Sequence, residues 1–337
     1  MKRRTFLGLL PAAAGACVLP AHAFAASDQH RCRVIVDNDL SGDPDGLVQL
    51  AQHLRSPSVD IRAIIGSHLH ADEAWSKSEH QATDGANRAR ELLGVMGLSG
   101  KVPVIAGSER AMPSMQVSAR TAATDAIIAE AMRDDPLPLF YCAGAGLTDL
   151  AMAWLIEPRI GKRLTLVWIG GPEYPGLGLP VPGATPGEYN ITIDVLAAQV
   201  IFNRSDIPIW QVPRNTYRRM LMSMAELEQM KAQGGTGAWL VEQIEGVSQA
   251  AAGAGLKVGE TYALGDSPLV TLTALQSAFE ADPSSSDYVM VPAPTVMADG
   301  TCKRNPKGRP IRVYTTIDTR LTFGDMMAKL GKQGLRK

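Results

Sequence analysis

The chain has 337 residues, with 33 Lys and Arg against 34 Asp and Glu, 45% hydrophobic and 20% charged residues, an ordinary globular balance that excludes a disordered chain. Its 32 Gly and 22 Pro are scattered, which excludes a collagenous or low-complexity protein. Near-neutral charge without a long basic run argues against nucleic acid, whose phosphates need a dense Lys and Arg surface, and points to small neutral or weakly charged partners.

Lys2-Arg3-Arg4 precede an apolar stretch from Phe6 to Leu19 and then the A-x-A pattern Ala21-His22-Ala23. That layout predicts an export signal over residues 1–26, too short for a comfortable membrane span. Arg3-Arg4-Thr5-Phe6-Leu7 is similar to a twin-arginine signal, which exports proteins already folded; a general secretory signal is the alternative. The mature chain, one domain over residues 27–337, is therefore expected in the periplasm or secreted, free of the membrane, with four more acidic than basic residues.

From there strand-length apolar runs alternate with segments of helical period. Arg33 to Val36 is followed by Leu47 to Leu54, Ile61 to Ile65 by Ala86 to Val95, and Val102 to Ala106 by Ala123 to Arg133. Leu137 to Cys142, the helix Leu147 to Leu155, Leu164 to Ile169, the helix Val195 to Phe202 and Ile207 to Val212 continue the rhythm. Such alternation predicts an α/β fold, a mostly parallel open sheet with helices on both faces. After Pro213 come two helices, Met224 to Gln233 and Gly237 to Ala252, expected as an elaboration on one rim. A helix Leu269 to Ala278 and strands Tyr288 to Val291 and Ile311 to Tyr314 close the chain. The Gly- and Pro-rich stretch Gly170 to Gly187 lacks periodicity and is expected to be a functional or mobile loop. Cys17 lies in the signal; Cys32, Cys142 and Cys302 have no zinc-site spacing, which leaves one disulfide open among them and no catalytic role.

In an open parallel sheet ligands sit beyond the carboxyl ends of strands. The first strand ends in Asp37-Asn38-Asp39-Leu40-Ser41-Gly42-Asp43-Pro44-Asp45-Gly46, four carboxylates within nine residues. Ionised together they repel unless a cation holds them, and a hard, oxygen-preferring ion such as Ca²⁺, with Mg²⁺ second, is the natural partner. Asp43 or Asp45 is alternatively a cap of the following helix, and Asp266, in Gly265-Asp266-Ser267-Pro268, invites the same alternative. Cys142-Ala143-Gly144-Ala145-Gly146 is a small-residue turn that lets backbone carbonyls approach a ligand. Glu188 and Asn190 face one way if that segment is extended.

In order and spacing these residues resemble the inosine-uridine preferring nucleoside hydrolase family over roughly the whole mature chain. Asp37, Asp39, Gly42, Asp43 and Asp45 echo the longer form of its opening motif, D-x-D-x-G-x-D-x-D-D, and Leu54-Arg55-Ser56-Pro57 ends the helix as the family does. Ile64-Ile65-Gly66-Ser67 stands at its strand ending in Gly-Asn, and Ala145-Gly146-Leu147-Thr148-Asp149-Leu150-Ala151 is similar to its G-L-T-N-L-A turn. Trp168-Ile169-Gly170-Gly171, Glu188-Tyr189-Asn190 and Asp266-Ser267-Pro268-Leu269 match its M-G-G, E-F-N and D-P-L segments.

The resemblance implies hydrolysis of an N-glycosidic bond, with Asp39 both a Ca²⁺ ligand and the base toward the metal-bound water. It implies that Asp266 and the Gly144 carbonyl complete the metal shell, with Asp43 or Asp45 as replacement ligand. Asp37, Ser67, Glu188 and Asn190 would bind substrate, a small nucleoside or sugar, in a homodimer or homotetramer. Gly46 stands where the family's second Asp ligates the metal, Gly265 where a His assists the leaving base, and Pro182 near an Asn that contacts ribose. Gly46 and Gly265 favour one alternative, a nucleoside- or sugar-binding module of the same fold; Asp37-Asn38-Asp39 with the late Gly265-Asp266 superficially fits another, a haloacid-dehalogenase-type phosphatase, though Leu40-Ser41-Gly42-Asp43 is a poor match to its glycine-threonine turn. His68 and His70 are expected as solvated loop residues, with leaving-group protonation as the other reading. Trp75 either stacks on a base or packs. Asn215 or Tyr217 is expected to line the pocket, and Arg218 and Arg219 to be solvated.

Overall fold

The computed structural model describes residues 30–73, 76–116, 120–279 and 281–331; the expected export signal, Cys17 and Trp75 lie outside the described residues. In chain order the first half comprises β1 (Cys32–Asn38), α1 (Asp45–Leu54), β2 (Val59–Gly66), α2 (Gln81–Val95), β3 (Val104–Ala106), α3 (Ala122–Met132), β4 (Leu139–Ala143), α4 (Thr148–Ile156), β5 (Leu164–Ile169), α5 (Tyr189–Ile193) and α6 (Val195–Gln199). The second half adds β6 (Ile209–Val212), α7 (Arg214–Tyr217), β7 (Leu221–Ser223), α8 (Met224–Ala232), α9 (Gly235–Gly253), β8 (Thr261–Ala263), α10 (Pro268–Thr273), β9 (Tyr288–Pro292), β10 (Thr295–Val296), β11 (Cys302–Lys303), β12 (Pro310–Tyr314) and α11 (Thr319–Leu330).

Eight strands form one open sheet in the order β3-β2-β1-β4-β5-β6-β12-β9. Every neighbouring pair is parallel except the edge pair, where β9 runs antiparallel to β12. Because strand side chains alternate in direction, β1 feeds two cores. Val34 and Val36 pack with α1, α2, α9, α10 and α11, while Ile35 packs with α3, α4 and α6 on the other face. From β1 the chain winds outward through β2 and β3, then returns to lay β4, β5 and β6 on the opposite side. The order therefore reverses between β1 and β4, which opens a crevice beyond their carboxyl ends.

The helical elaboration is α8 and α9, with α9 resting on α1, α2 and α11. Ser223 caps α8 in a reciprocal box with Glu226, the pairing that satisfies two otherwise unbonded donors. The excursion is closed by the antiparallel pair β7 and β8, so the chain re-enters beside its point of departure and delivers Gly265-Asp266 to the crevice. Among the described residues no helix is long and apolar enough to cross a membrane.

Two elements differ from the sequence reading, and one question it left open is answered. Tyr189–Ile193 is helical, with Glu188 and Asp194 as extended residues on either side of it: the Glu188 carboxylate accepts the Ile191 N–H at 3.2 Å and starts α5, and the Asp194 carboxylate accepts the Ala197 N–H at 2.9 Å and starts α6. The helix expected to reach Ala278 ends at Thr273. Cys32, Cys142 and Cys302 are all free; the thiol of buried Cys32 donates to the Thr273 carbonyl at 3.8 Å, so no disulfide joins them.

Candidate active site

A cavity of about 390 Å³ opens at the reversal point. Its floor comes from residues just past the strands: Asp39 after β1, Gly144 after β4, and Glu188 and Asn190 after the long loop that follows β5. Asp43 and Asp45 enter from the start of α1, and Gly265 and Asp266 from the turn before α10. Seven of the nine residues expected from sequence thus meet in one cavity, although Asp39 and Asp266 lie 227 positions apart in the chain. Leu69, Glu73, Ile169, Tyr189, Tyr217 and Arg218 complete much of the wall.

The acids crowd one another. Burial, then the charges of Asp266 and Asp43, pushes the Asp39 carboxyl well above the usual carboxylate range. Burial, then the charges of Asp266, Asp43 and Asp39, does the same to Asp45. Asp266 is raised to about 7 by burial, against the stabilising hydrogen bond from the Asn38 amide at 2.8 Å. The Asp45 carboxylate also accepts the Asp266 N–H at 3.2 Å. Asp43, on the exposed lip, accepts the Asp45 N–H at 3.1 Å and the Tyr262 hydroxyl at 2.8 Å; the N-cap of α1 is Pro44, which offers no side-chain cap.

Glu188 and Asn190 are held from behind. Glu188 is fully buried, and its carboxylate accepts the Gly171 N–H at 2.7 Å and the Tyr217 hydroxyl at 2.8 Å. Burial raises its carboxyl and these donors oppose the rise. Gly171 can present that N–H because it sits at φ +87, where glycine carries no Cβ penalty. The Asn190 amide donates to the carbonyls of Gly144 at 3.0 Å and Ile169 at 2.7 Å, which leaves its oxygen as the group free to accept from a ligand hydroxyl.

Asp37 and Ser67, expected to bind substrate, sit elsewhere. Both are buried, the Ser67 and Tyr141 hydroxyls donate to the Asp37 carboxylate, and neither residue lines the cavity. The physical reason is the strand period: Asp37 follows Ile35 onto the face that carries Tyr141, away from α1. His68 corrects the solvated reading. It is 3% exposed, with ring nitrogens 2.9 Å from the Leu69 carbonyl and 2.9 Å from the Thr148 hydroxyl, so it ties the segment after β2 to α4. His70 is half-buried and Pro182 is exposed in its loop. Tyr217 lines the cavity as expected and Asn215 is buried against Gly178. Arg218 is exposed but faces the cavity mouth. Sequence reasoning missed Tyr189, whose hydroxyl donates to Glu73 across that mouth, and the buried Asn38. An aromatic directly between two pocket residues, and the middle position of D-x-D, were the available signals.

The donors around Asp39, Asp45, Asp266 and the Gly144 carbonyl are all oxygens, the set a hard divalent cation prefers, and such a cation would relieve the mutual charge that raises these carboxyls. In that respect the residues fit Ca²⁺. Among the described residues, however, no three His, Cys, Asp or Glu side chains converge into a ready-made shell, and one Asp266 oxygen is engaged by the Asn38 amide.

The inosine-uridine preferring nucleoside hydrolase family model matches residues 34–334. The pyrimidine-specific ribonucleoside hydrolase RihA of Salmonella arizonae is 25% identical over 221 residues, 60% of this chain and 66% of that relative. Among solved structures, the plant nucleoside hydrolase PpNRh1 superposes with a TM-score of 0.68 at 19% identity, over 89% of this chain and 99% of that one. The purine-preferring ribonucleoside hydrolase from Gardnerella vaginalis gives 0.66 at 18% identity, over 89% and 98%. The structural likenesses establish a shared fold.

Proposed function

The chain belongs to the inosine-uridine preferring nucleoside hydrolase family, and on that premise we propose that it hydrolyses the N-glycosidic bond of a nucleoside or related N-ribosyl compound. The observation that carries the reading is the convergence of Asp39, Asp45, Asp266, Glu188 and Asn190 on one cavity at the point where the sheet order reverses. Asp39 is the general base: it stands on the cavity floor just past β1, among the acids that would hold the ion, where a carboxylate can take the proton of an attacking water. As the water oxygen bonds to the anomeric carbon, the carbon–nitrogen bond breaks, the base leaves with that electron pair, and the water proton passes to Asp39. Glu188 and the Asn190 oxygen accept sugar hydroxyls, and the negative wall favours the positive, oxocarbenium-like sugar of the transition state. Asp39, Asp45, Asp266 and the Gly144 carbonyl would hold Ca²⁺, with Asp43 nearby on the lip. The ion would supply the positive charge that orients and acidifies water.

A nucleoside- or sugar-binding module of the same fold is the second reading, and Gly46 and Gly265 favour it because neither offers a side-chain ligand or acid. The phosphatase reading loses support, since Asp37, the first acid of its D-x-D pair, is sealed behind the cavity. Calorimetric titration of chelator-treated protein with Ca²⁺, followed by a reducing-sugar assay over purine and pyrimidine ribonucleosides, separates the two remaining readings. Ca²⁺ binding with ribose release is the expected result. Nucleoside binding without any ribose release would leave the binding module.

A further inference from the structure

Asn38 ends β1 with no exposed surface, on the face that looks toward α1. Its amide nitrogen donates to the Asp266 carboxylate at 2.8 Å and to the Gln49 carbonyl oxygen at 3.4 Å, and its own carbonyl accepts the Asp39 N–H at 2.9 Å. The polarity continues inward in one direction. The Thr273 hydroxyl donates to the Leu269 carbonyl at 2.6 Å, so its oxygen accepts from His53 Nε2 at 2.9 Å, which leaves His53 Nδ1 to accept the Gln49 amide hydrogen. Gln49 and His53 are fully buried in α1, one turn apart, and Thr273 is 4% exposed at the end of α10. Every donor in this chain has an acceptor, so the Asn38 amide has one orientation available, with its N–H₂ toward Asp266.

The same amide fills the space over two glycines. A Cβ on Gly46 would stand 2.8 Å from the Asn38 amide nitrogen, and one on Gly144 would stand 2.4 Å from it and 2.6 Å from an Asp266 oxygen. Gly46 is the position at which the family pattern places a carboxylate. We propose that Asn38 and Gly46 are an interlocked exchange: a neutral amide, fixed by Gln49, His53 and Thr273, occupies the room of the absent carboxylate and acts as the positioning residue of Asp266. The site consequently orients Asp266 with one negative charge fewer than the family pattern supplies. This rests on the proposed hydrolytic site, but the interlock itself is a property of the fold.

The test is a double-mutant cycle on the full mature chain with Asn38→Ala, Gly46→Asp and the pair, read by thermal melting in chelator, Ca²⁺ calorimetry and kcat against KM. Gly46→Asp alone should melt lower and gain no Ca²⁺ affinity, because its side chain meets the Asn38 amide. The double variant should recover most of the lost melting temperature and bind Ca²⁺ at least tenfold more tightly than wild type. Asn38→Ala alone should lose about tenfold in both Ca²⁺ affinity and kcat with KM little changed. Gln49→Leu, which removes the acceptor but not the amide, should lose severalfold in Ca²⁺ affinity while its far-ultraviolet circular dichroism stays native. Additive melting effects in the cycle, or Gly46→Asp tightening Ca²⁺ as strongly as the double variant, would overturn the proposal. If wild type binds no Ca²⁺ and releases no ribose, the hydrolytic reading fails while the melting cycle in chelator still decides the interlock.

Discussion

Two acidic clusters sit at the carboxyl end of β1, and they are built oppositely. On the cavity side, Asp39, Asp45 and Asp266 face one another and receive few donors. On the sealed side, Asp37 receives the Ser67 and Tyr141 hydroxyls. There too, Asp149 receives the Ser108 N–H and hydroxyl, at 3.0 and 2.9 Å, and Asp194 receives the Met112 N–H at 2.7 Å and the Thr148 hydroxyl at 2.8 Å. A buried acid with its partners inside the protein anchors the fold; one that lacks them is available to a ligand. The D-x-D motif contributes one acid to each cluster, so its two carboxylates do different work.

The widest separation should come from Asp39→Asn against Asp37→Asn. The first is expected to lower kcat about 10²- to 10⁴-fold, the range for loss of a general base, with the melting temperature held or raised because a repelled carboxyl that no side-chain donor holds is removed. The second is expected to cost about 1–3 kcal/mol of stability, the penalty for disrupting buried hydrogen bonds, with kcat within tenfold of wild type. Paired kinetics and melts check both, and equal activity losses would erase the contrast between the clusters.

A pH series sharpens the comparison from the support behind the cavity. Burial, then the nearby Lys329 charge, lowers the His53 pKa from 6.5 to about 3. Below pH 6.5 the unfolded chain therefore binds a proton that the folded one refuses, so stability contributed by neutral His53 falls as pH drops through the window from about 6.5 to 3. At pH 5 this amounts to about 2 kcal/mol by proton linkage. Chemical denaturation of wild type and His53→Gln between pH 7 and 5 should show a shallower acid slope in the variant; parallel slopes would remove His53 as the source.

The smallest effect is expected at the wall. Tyr217→Phe deletes the hydroxyl that donates to Glu188, a net loss of about 1 kcal/mol. It should appear as a severalfold rise in KM for a ribonucleoside with kcat nearly unchanged. An unaltered KM would mean that the Gly171 N–H alone holds the carboxylate.

The alternation of strand and helix runs, and the acids that follow β1 and precede α10, were legible in the sequence because period and residue type are local properties. So was the α/β class, including every strand of the main sheet and the two helices after Pro213. The sequence also carried the departures at Gly46 and Gly265, since a missing side chain is visible without coordinates. What it left undecided is which way each polar residue faces. Asp37 lies outside the cavity because it is still within β1 on the Ile35 face, whereas Asp39 is past the strand's end; Ser67 lies beside Asp37 because its hydroxyl donates there, and His68 is buried because a hydroxyl 80 positions away receives it. Tyr189–Ile193 is helical because the Glu188 carboxylate caps it, and Asp194 then caps α6. Asn38, between two acids, received no role from the sequence. Only tertiary structure, by bringing α1 and α10 against the end of β1, turned it toward Asp266, because hydrogen-bond satisfaction in a buried space depends on neighbours that lie far along the chain.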